Sequence, residues 1–199
     1  MKPDAILVLD FGGQYAHLIG RRIRENNVYS EVIPCDMSAS DIQKFNSKFN
    51  IKGLILSGGP SSVYEKGAPT LNPGILDLRL PLLGLCYGHQ LLAFAFGGNV
   101  KTAKKKEYGI TYADIDKPVG ILRKLSGTEK VWMSHGDTVY SMPPDFEALA
   151  RTNNCPVAAF RHKQIPVFGV QWHPEVVHTE NGSRILKNFI FDICKCKSE

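Results

Sequence analysis

The chain has 199 residues, 43% of them apolar and 22% charged, with a formal net charge of +5. A chain of this length and composition builds one globular domain that buries about 70% of its unfolded surface. Its longest helical apolar run, Leu91 to Phe96, is far short of the about 20 residues of a membrane span, and no arginine stripe or aromatic platform predicts a nucleic-acid partner.

In chain order, Ala5 to Leu9 is a continuous apolar run of the kind that parallel strands, buried on both faces, require. After the turn at Gly12-Gly13, Tyr15, Leu18, Ile19 and Ile23 recur at helical spacing, with Arg21, Arg22 and Arg24 on the other faces. Glu31 to Pro34 predicts a second strand and Ser40 to Phe49 a helix. Gly53 to Leu56 predicts a third strand, ending in the turn Ser57-Gly58-Gly59-Pro60. Pro81 to Leu85 is a fourth strand, and Gly88 to Phe96 a helix stopped by Gly97-Gly98. The second half holds short strand candidates at Thr111 to Ile115, Val131 to Met133, Phe146 to Ala150, Val157 to Phe160 and Val167 to Val170. A last helix starts near Gly182, with Ile185, Leu186, Phe189, Ile190 and Ile193 on one stripe. The expectation is an α/β fold: a mostly parallel central sheet flanked by helices, with antiparallel additions in the second half. No linker divides the chain, so residues 1–194 form one domain and 195–199 a tail.

Gly84-Leu85-Cys86-Tyr87-Gly88 lies between a strand and a helix, the order of a nucleophile elbow. Glycines there remove side chains that would collide, and the positive end of the helix favours a thiolate. The amide of Tyr87, in the first helical turn, is free to face an oxyanion. Taken alone, the motif is more often that of a buried cysteine in a glycine-rich turn. A base decides between the two. In Gln171-Trp172-His173-Pro174-Glu175 the proline holds His173 extended, and residues two apart in an extended segment share a face. Glu175 thus stands where it could orient His173, which predicts a Cys86-His173-Glu175 triad. Gly59 supplies a second candidate oxyanion donor. A rival reading of Ser57-Gly58-Gly59 as a pyrophosphate loop suffers because Pro60 lacks an amide donor and Ser61 stands at the aspartate position. Gly12-Gly13 does not match GxGxxG, so no dinucleotide site is expected.

Together GLCYGHQ, LILSGGP and GVQWHPE resemble the class I (triad-type) glutamine amidotransferases, which have a flavodoxin-like fold. LDFGGQYAHLIGRRIRE, VWMSHGD and HPEVVHTENGSRILKNFIFDIC narrow the resemblance to the glutaminase domains of the GMP synthase family. The resemblance runs from about Ile6 to Cys194. It implies that Cys86 attacks the carboxamide of L-glutamine, that His173 shuttles the proton and that Glu175 orients it. It further implies an oxyanion hole at Gly59 and Tyr87 and a glutamine pocket lined by Gln90, Ser134, His135 and Asp137. Gln90, one helical turn after Cys86, shares its face. Gly13, His89 and Trp172 depart from the serine, methionine and phenylalanine or tyrosine expected at those positions.

No cofactor or metal is expected in this domain. ATP and Mg would belong to an ATP pyrophosphatase synthetase domain or subunit, which would use the ammonia to convert XMP to GMP. Five cysteines with no CxxC pair, and no secretory core in MKPDAILVLDF, suit a reducing, cytoplasmic setting. Lys101, Lys104, Lys105 and Lys106 are either a solvated loop or a docking face for that partner. Two other readings compete: a triad amidotransferase serving carbamoyl phosphate, anthranilate or CTP synthesis, and a catalytically silent domain on the same fold.

Overall fold

The computed structural model describes residues 2–198. The strands are β1 (Asp4–Asp10), β2 (Tyr29–Pro34), β3 (Asn50–Leu56), β4 (Leu82–Leu85), β5 (Asn99–Ile115), β6 (Gly127–Ser141), β7 (Phe146–Arg151), β8 (Ala159–His162) and β9 (Val167–Val170). They form one sheet in the order β2-β1-β3-β4-β9-β8-β7-β5-β6. β2, β1, β3, β4 and β9 pair in parallel, and β9, β8, β7, β5 and β6 pair antiparallel. The helices are α1 (Ala16–Arg24), α2 (Ala39–Lys44), α3 (Gly74–Asp77), α4 (Tyr87–Ala95) and α5 (Gly182–Lys187).

The apolar runs are continuous because both faces of the parallel strands are covered. Ile6, Val8, Ile55, Leu83 and Leu85 join Ile19 and Ile23 of α1, and Ile185 and Leu186 of α5, in one core. Their neighbours Ala5, Leu7, Leu9, Leu54, Leu56 and Leu82 join Ile42 of α2, Ile75 of α3, and Leu91 and Leu92 of α4 in the other. This is the period-2 alternation of a strand, with an apolar layer on each side. The crossing of the chain from β1 to its two neighbours makes the carboxyl ends of β1 and β3 a switch point, where α/β sheets hold ligands.

Several sequence expectations shift. The short candidates at Thr111 to Ile115 and Val131 to Met133 are the middles of two strands of 17 and 15 residues. The two strands pair from end to end, with an irregularity between Thr102 and Glu107, while β5 reaches β7 at only two positions, Asp114–Arg151 and Ile115–Ala150. The pair is thus a ribbon extending from the sheet. Its charged, exposed residues satisfy no apolar pattern. Lys101, Lys104, Lys105 and Lys106 are exposed on this ribbon and not in a loop. The Ser40 to Phe49 helix is α2 followed by one 3-10 turn at Phe45–Ser47. Strand β8 starts at Ala159, two residues later than expected, and the last helix continues past α5 as a π-helical segment, Asn188–Ile193.

His89 is fully buried on α4, donates from Nε2 to the Val157 carbonyl at 3.0 Å and stacks on Phe160. Burial pushes its pKa down to about 3 from 6.5, so it is neutral in the fold. The sign follows: the unfolded chain binds a proton below pH 6.5 that the folded chain refuses. The stability His89 contributes is whole above 6.5 and is lost as pH falls from there toward about 3. We predict that His89→Met lowers the midpoint of acid unfolding, read by circular dichroism, at a cost near neutrality of about 1 kcal/mol for the lost hydrogen bond. Equal acid midpoints for the two proteins would contradict the account.

Candidate active site

Cys86 sits between β4 and α4 with φ +53° and ψ −104°, a conformation L residues avoid and one that costs about 1–3 kcal/mol. The surroundings enforce it. The Cys86 amide donates to the Val170 carbonyl at 3.0 Å, and the Gly88 amide to the Ser57 carbonyl at 3.1 Å. A Cβ at Gly84 would lie 2.3 Å from the Gly88 carbonyl oxygen, and one at Gly88 would lie 2.4 Å from that of Leu56. Both glycines are therefore required by close backbone packing. The elbow raises Cys86 into a cavity of about 700 Å³ at the carboxyl ends of the strands, although the residue is only 5% exposed.

His173 follows β9 and lines the same cavity. Its Nδ1 donates to Glu175 Oε1 at 2.7 Å, which presents Nε2 to the thiol side. A methyl group at Gly58 would lie 3.1 Å from His173 Cε1 and 3.6 Å from Cys86 Cβ, so His173 and Cys86 crowd the same glycine. Burial of His173 opposes its charge. The hydrogen bonds and negative charges of Cys86 and Glu175 outweigh burial and push its pKa up to about 11. The imidazole is thus held as the cation of an ion pair. Glu175 is buried behind His173 and does not line the cavity. The backbone here is pinned on every side. The His173 amide donates to the Trp132 carbonyl at 3.1 Å, the Thr179 hydroxyl donates to the His173 carbonyl at 2.7 Å, and Arg22 Nε donates to the Glu175 carbonyl at 2.9 Å. The Tyr15 ring meets His173 edge-on, with centroids 5.2 Å apart.

The structure gathers the other expected residues around the same cavity, which Gly59, Tyr87, Gln90, Ser134, His135 and Asp137 all line. Their roles separate. The Ser134 carbonyl accepts from the Cys86 thiol at 3.5 Å. Gln90 spends its amide nitrogen on the Asp137 carbonyl at 2.9 Å and on Gln171 Oε1 at 3.0 Å, which leaves its Oε1 as the group still open. His135 is turned inward, with both ring nitrogens occupied: Nδ1 on the Asp137 carbonyl at 2.6 Å and Nε2 on Glu107 Oε2 at 2.9 Å. It therefore buttresses the pocket wall, and its imidazole is not available to a substrate. Glu107 is in turn held by Thr152 at 2.8 Å and Asn154 at 3.2 Å. Burial raises its pKa less than these hydrogen bonds lower it, so it stays a carboxylate. Asp137 Oδ1 accepts from the Tyr64 hydroxyl at 2.8 Å. Sequence reasoning missed Glu107, Tyr64, Arg22 and Thr179 as supporting residues. Arg22 and Thr179 lay inside quoted motifs with no role assigned to them, and Glu107 was masked by the lysines before it.

The two oxyanion candidates, Gly59 and Tyr87, both line the cavity. Tyr87 opens α4, and neither its amide nor that of Gly59 donates to another group among the described residues. The Gly58 carbonyl accepts from the Gly13 amide at 3.1 Å and from the Ser57 hydroxyl at 2.9 Å. A Cβ at Gly13 would stand 2.4 Å from that carbonyl oxygen, so glycine here lets the loop after β1 close on the Gly58-Gly59 peptide. Among the described residues no group of three or more His, Cys, Asp or Glu side chains could hold a metal ion, and no helix is long and apolar enough to cross a membrane.

Comparison with known proteins places this arrangement. Residues 7–193 match the model of the family "Glutamine amidotransferase class-I". The chain is 47% identical to the glutamine-hydrolyzing GMP synthase of Brachyspira hyodysenteriae, over 98% of this chain and 37% of that protein. It is 46% identical to that of Caldanaerobacter subterraneus, over 100% of this chain and 38% of that one. The chain therefore spans less than two fifths of the length of these relatives. A GMP synthase subunit from Thermoplasma acidophilum superposes with a TM-score of 0.86 at 34% identity, over 98% of this chain and 96% of that one. A glutamine amidotransferase from Thermotoga maritima, 20% identical and covering 96% of this chain and 82% of that one, shares the fold with a TM-score of 0.67. With an elbow cysteine facing an ion-paired histidine at the switch point of the sheet, the chain belongs to the class I glutamine amidotransferases.

Proposed function

We propose that this domain hydrolyses L-glutamine through Cys86, His173 and Glu175 and passes the ammonia to an ATP pyrophosphatase synthetase partner that makes GMP from XMP. The observation that carries the reading is the strained Cys86 at the head of α4 beside a histidine clamped to Glu175 at 2.7 Å. The Cys86 thiolate attacks the side-chain amide carbon, and the oxyanion that forms is met by the amides of Gly59 and Tyr87. His173, carrying the thiol proton, donates it to the amide nitrogen as the C–N bond breaks. Ammonia leaves and a γ-glutamyl thioester remains. His173 then takes a proton from water, the hydroxide attacks the thioester, and glutamate departs as the proton returns to sulfur. Glu175 keeps Nδ1 protonated throughout and offsets the imidazolium charge.

The partner rests on the GMP synthase relatives, of which this chain matches less than two fifths. ATP and Mg belong to that partner. An alternative assignment to carbamoyl phosphate, anthranilate or CTP synthesis has no support among these relatives, and an intact triad speaks against a silent domain.

Two outcomes are expected at Cys86. Cys86→Ala abolishes ammonia release while the far-UV spectrum and melting temperature stay near those of the parent. A diazo-ketone glutamine analogue labels Cys86 alone by mass spectrometry. Burial pushes Cys155 and Cys196 up to about 12 and raises Cys35 and Cys194, so those four remain thiols. A label on Cys155 would refute the assignment.

Glu175→Gln should leave about 10²-fold more turnover than His173→Ala, because the orienting group does not itself carry the transferred proton. Equal losses with the fold intact would give Glu175 a larger part than this mechanism allows.

The isolated domain should be slow, since one misplaced oxyanion donor costs about 10²–10³ in rate and Gly59 lies on a glycine turn. Steady-state glutaminase kinetics with and without an ATP pyrophosphatase domain, XMP and ATP test this. Full activity in the isolated chain would defeat it.

A further inference from the structure

The catalytic cavity has a second polar end that the triad and oxyanion hole do not use. Along β5, Lys106 and Tyr108 line the cavity, whereas Glu107 between them is buried. Strand alternation explains the split, because residues two apart share a face. Glu107 is paired across the ribbon with His135, and Tyr108 with Ser134. The contact of Glu107 with His135 at 2.9 Å therefore anchors β5 from inside and sets its neighbours over the cavity. A Cβ at Gly136 would meet Lys106 Cδ and Cε at 3.5 Å and the Tyr108 hydroxyl at 3.6 Å. The ammonium stem and the phenol thus converge on one residue of β6. None of the ion pairs among the described residues uses Lys106. Among the described residues it is the only lysine or arginine of the cavity lining.

Distance along β6 fits one substrate length. The Ser134 carbonyl is 3.5 Å from the thiol, and Gly136 is two residues on, about 7 Å at the usual rise of a strand. In glutamine the reacting amide carbon is four bonds from the α-carboxylate carbon, about 5 Å at about 1.5 Å per bond in an extended chain. A carboxylate oxygen adds a little more. The next residue, Asp137, offers the opposite charge, for the α-ammonium group.

On the glutaminase reading above, we propose that Lys106 and Tyr108 form the subsite for the α-carboxylate of the substrate. Lys106 supplies the charge and Tyr108 a hydroxyl donor. The remaining lysines of β5, Lys101, Lys104 and Lys105, do not line the cavity and take no part.

The test compares L-glutamine with L-glutamine methyl ester, which has no α-carboxylate, in ammonia-release kinetics. It adds calorimetric binding of L-glutamine to Cys86→Ala, with and without Lys106→Met. Lys106→Met should raise KM for glutamine about tenfold or more, the range for losing a hydrogen bond to a charged group, with a much smaller effect on kcat. It should weaken calorimetric binding by a similar factor. The preference of the parent for glutamine over the ester should collapse, Lys106→Arg should recover most of it, and Tyr108→Phe should give a smaller loss in the same direction. Equal weakening toward glutamine and ester would mean a merely structural role and overturn the subsite. So would unchanged glutamine binding in Lys106→Met. Those results leave the glutaminase reading standing. Absence of both binding and hydrolysis in the unmutated chain refutes that reading, and the subsite with it.

Discussion

Everything at this centre depends on one close approach of backbones: the first turn of α4 lies against the end of β3. Gly88 donates to the Ser57 carbonyl at 3.1 Å, and its missing side chain lets Leu56 come within reach. That contact tightens the chain after β4 enough to force Cys86 to positive φ. The same contact brings Ser57-Gly58-Gly59 beside the thiol, so Cys86 and the Gly59 amide are positioned by a single packing event. Strain of about 1–3 kcal/mol at Cys86 is tolerable because β4 is held between β3 and β9 with every side chain buried. A looser sheet would let the elbow relax and the thiol retreat.

Strand β6 adds a second constraint. Its Trp132 carbonyl fixes the His173 amide, and its Ser134 carbonyl lies 3.5 Å from the Cys86 sulfur. One strand thus holds His173 and Cys86 from the same side, through carbonyls two residues apart. The imidazole is anchored at Nδ1, and the His173 backbone at both its amide and its carbonyl. Such anchoring removes reorganisation from the reacting step, and fixed hydrogen-bonding groups are worth most in a site closed to water.

What was legible in the sequence follows from where the stabilising free energy comes from. β1, β3 and β4 were readable because burial on both faces leaves an unbroken apolar run, and the grouping of Cys86, His173 and Glu175 because glycine and proline impose backbone conformations that few other residues tolerate. The ribbon was not readable along its length. Residues Lys104, Lys105 and Lys106 are exposed on a strand whose hydrogen bonds, not its side chains, hold it to β6. Its register runs from Ile115 with Gly127 to Asn99 with Ser141, and pairing across such separations leaves no local pattern to find. His135 shows a different limit. Its motif predicted a place beside Cys86, at the cavity that His135 lines, but only the partner, Glu107 on the other strand, decides that the ring faces inward.

These two regimes divide the site between a rigid and a more yielding part. Cys86, His173 and Glu175 stand on the doubly covered sheet, where displacing a group means disturbing a core. The cavity wall of Lys106, Tyr108, Ser134, His135 and Asp137 stands on β5 and β6. Except at Asp114 and Ile115, the inner strand of this ribbon has only one neighbour, and its fixed point is the buried Glu107–His135 pair. Removing His135 would leave the buried Glu107 carboxylate without one of its hydrogen-bond partners, which costs more than the hydrogen bond contributes. The pair therefore serves register more than stability. It decides which of the alternating β5 residues face the cavity, and a slip by one position would turn Glu107 toward substrate and Lys106 into the core.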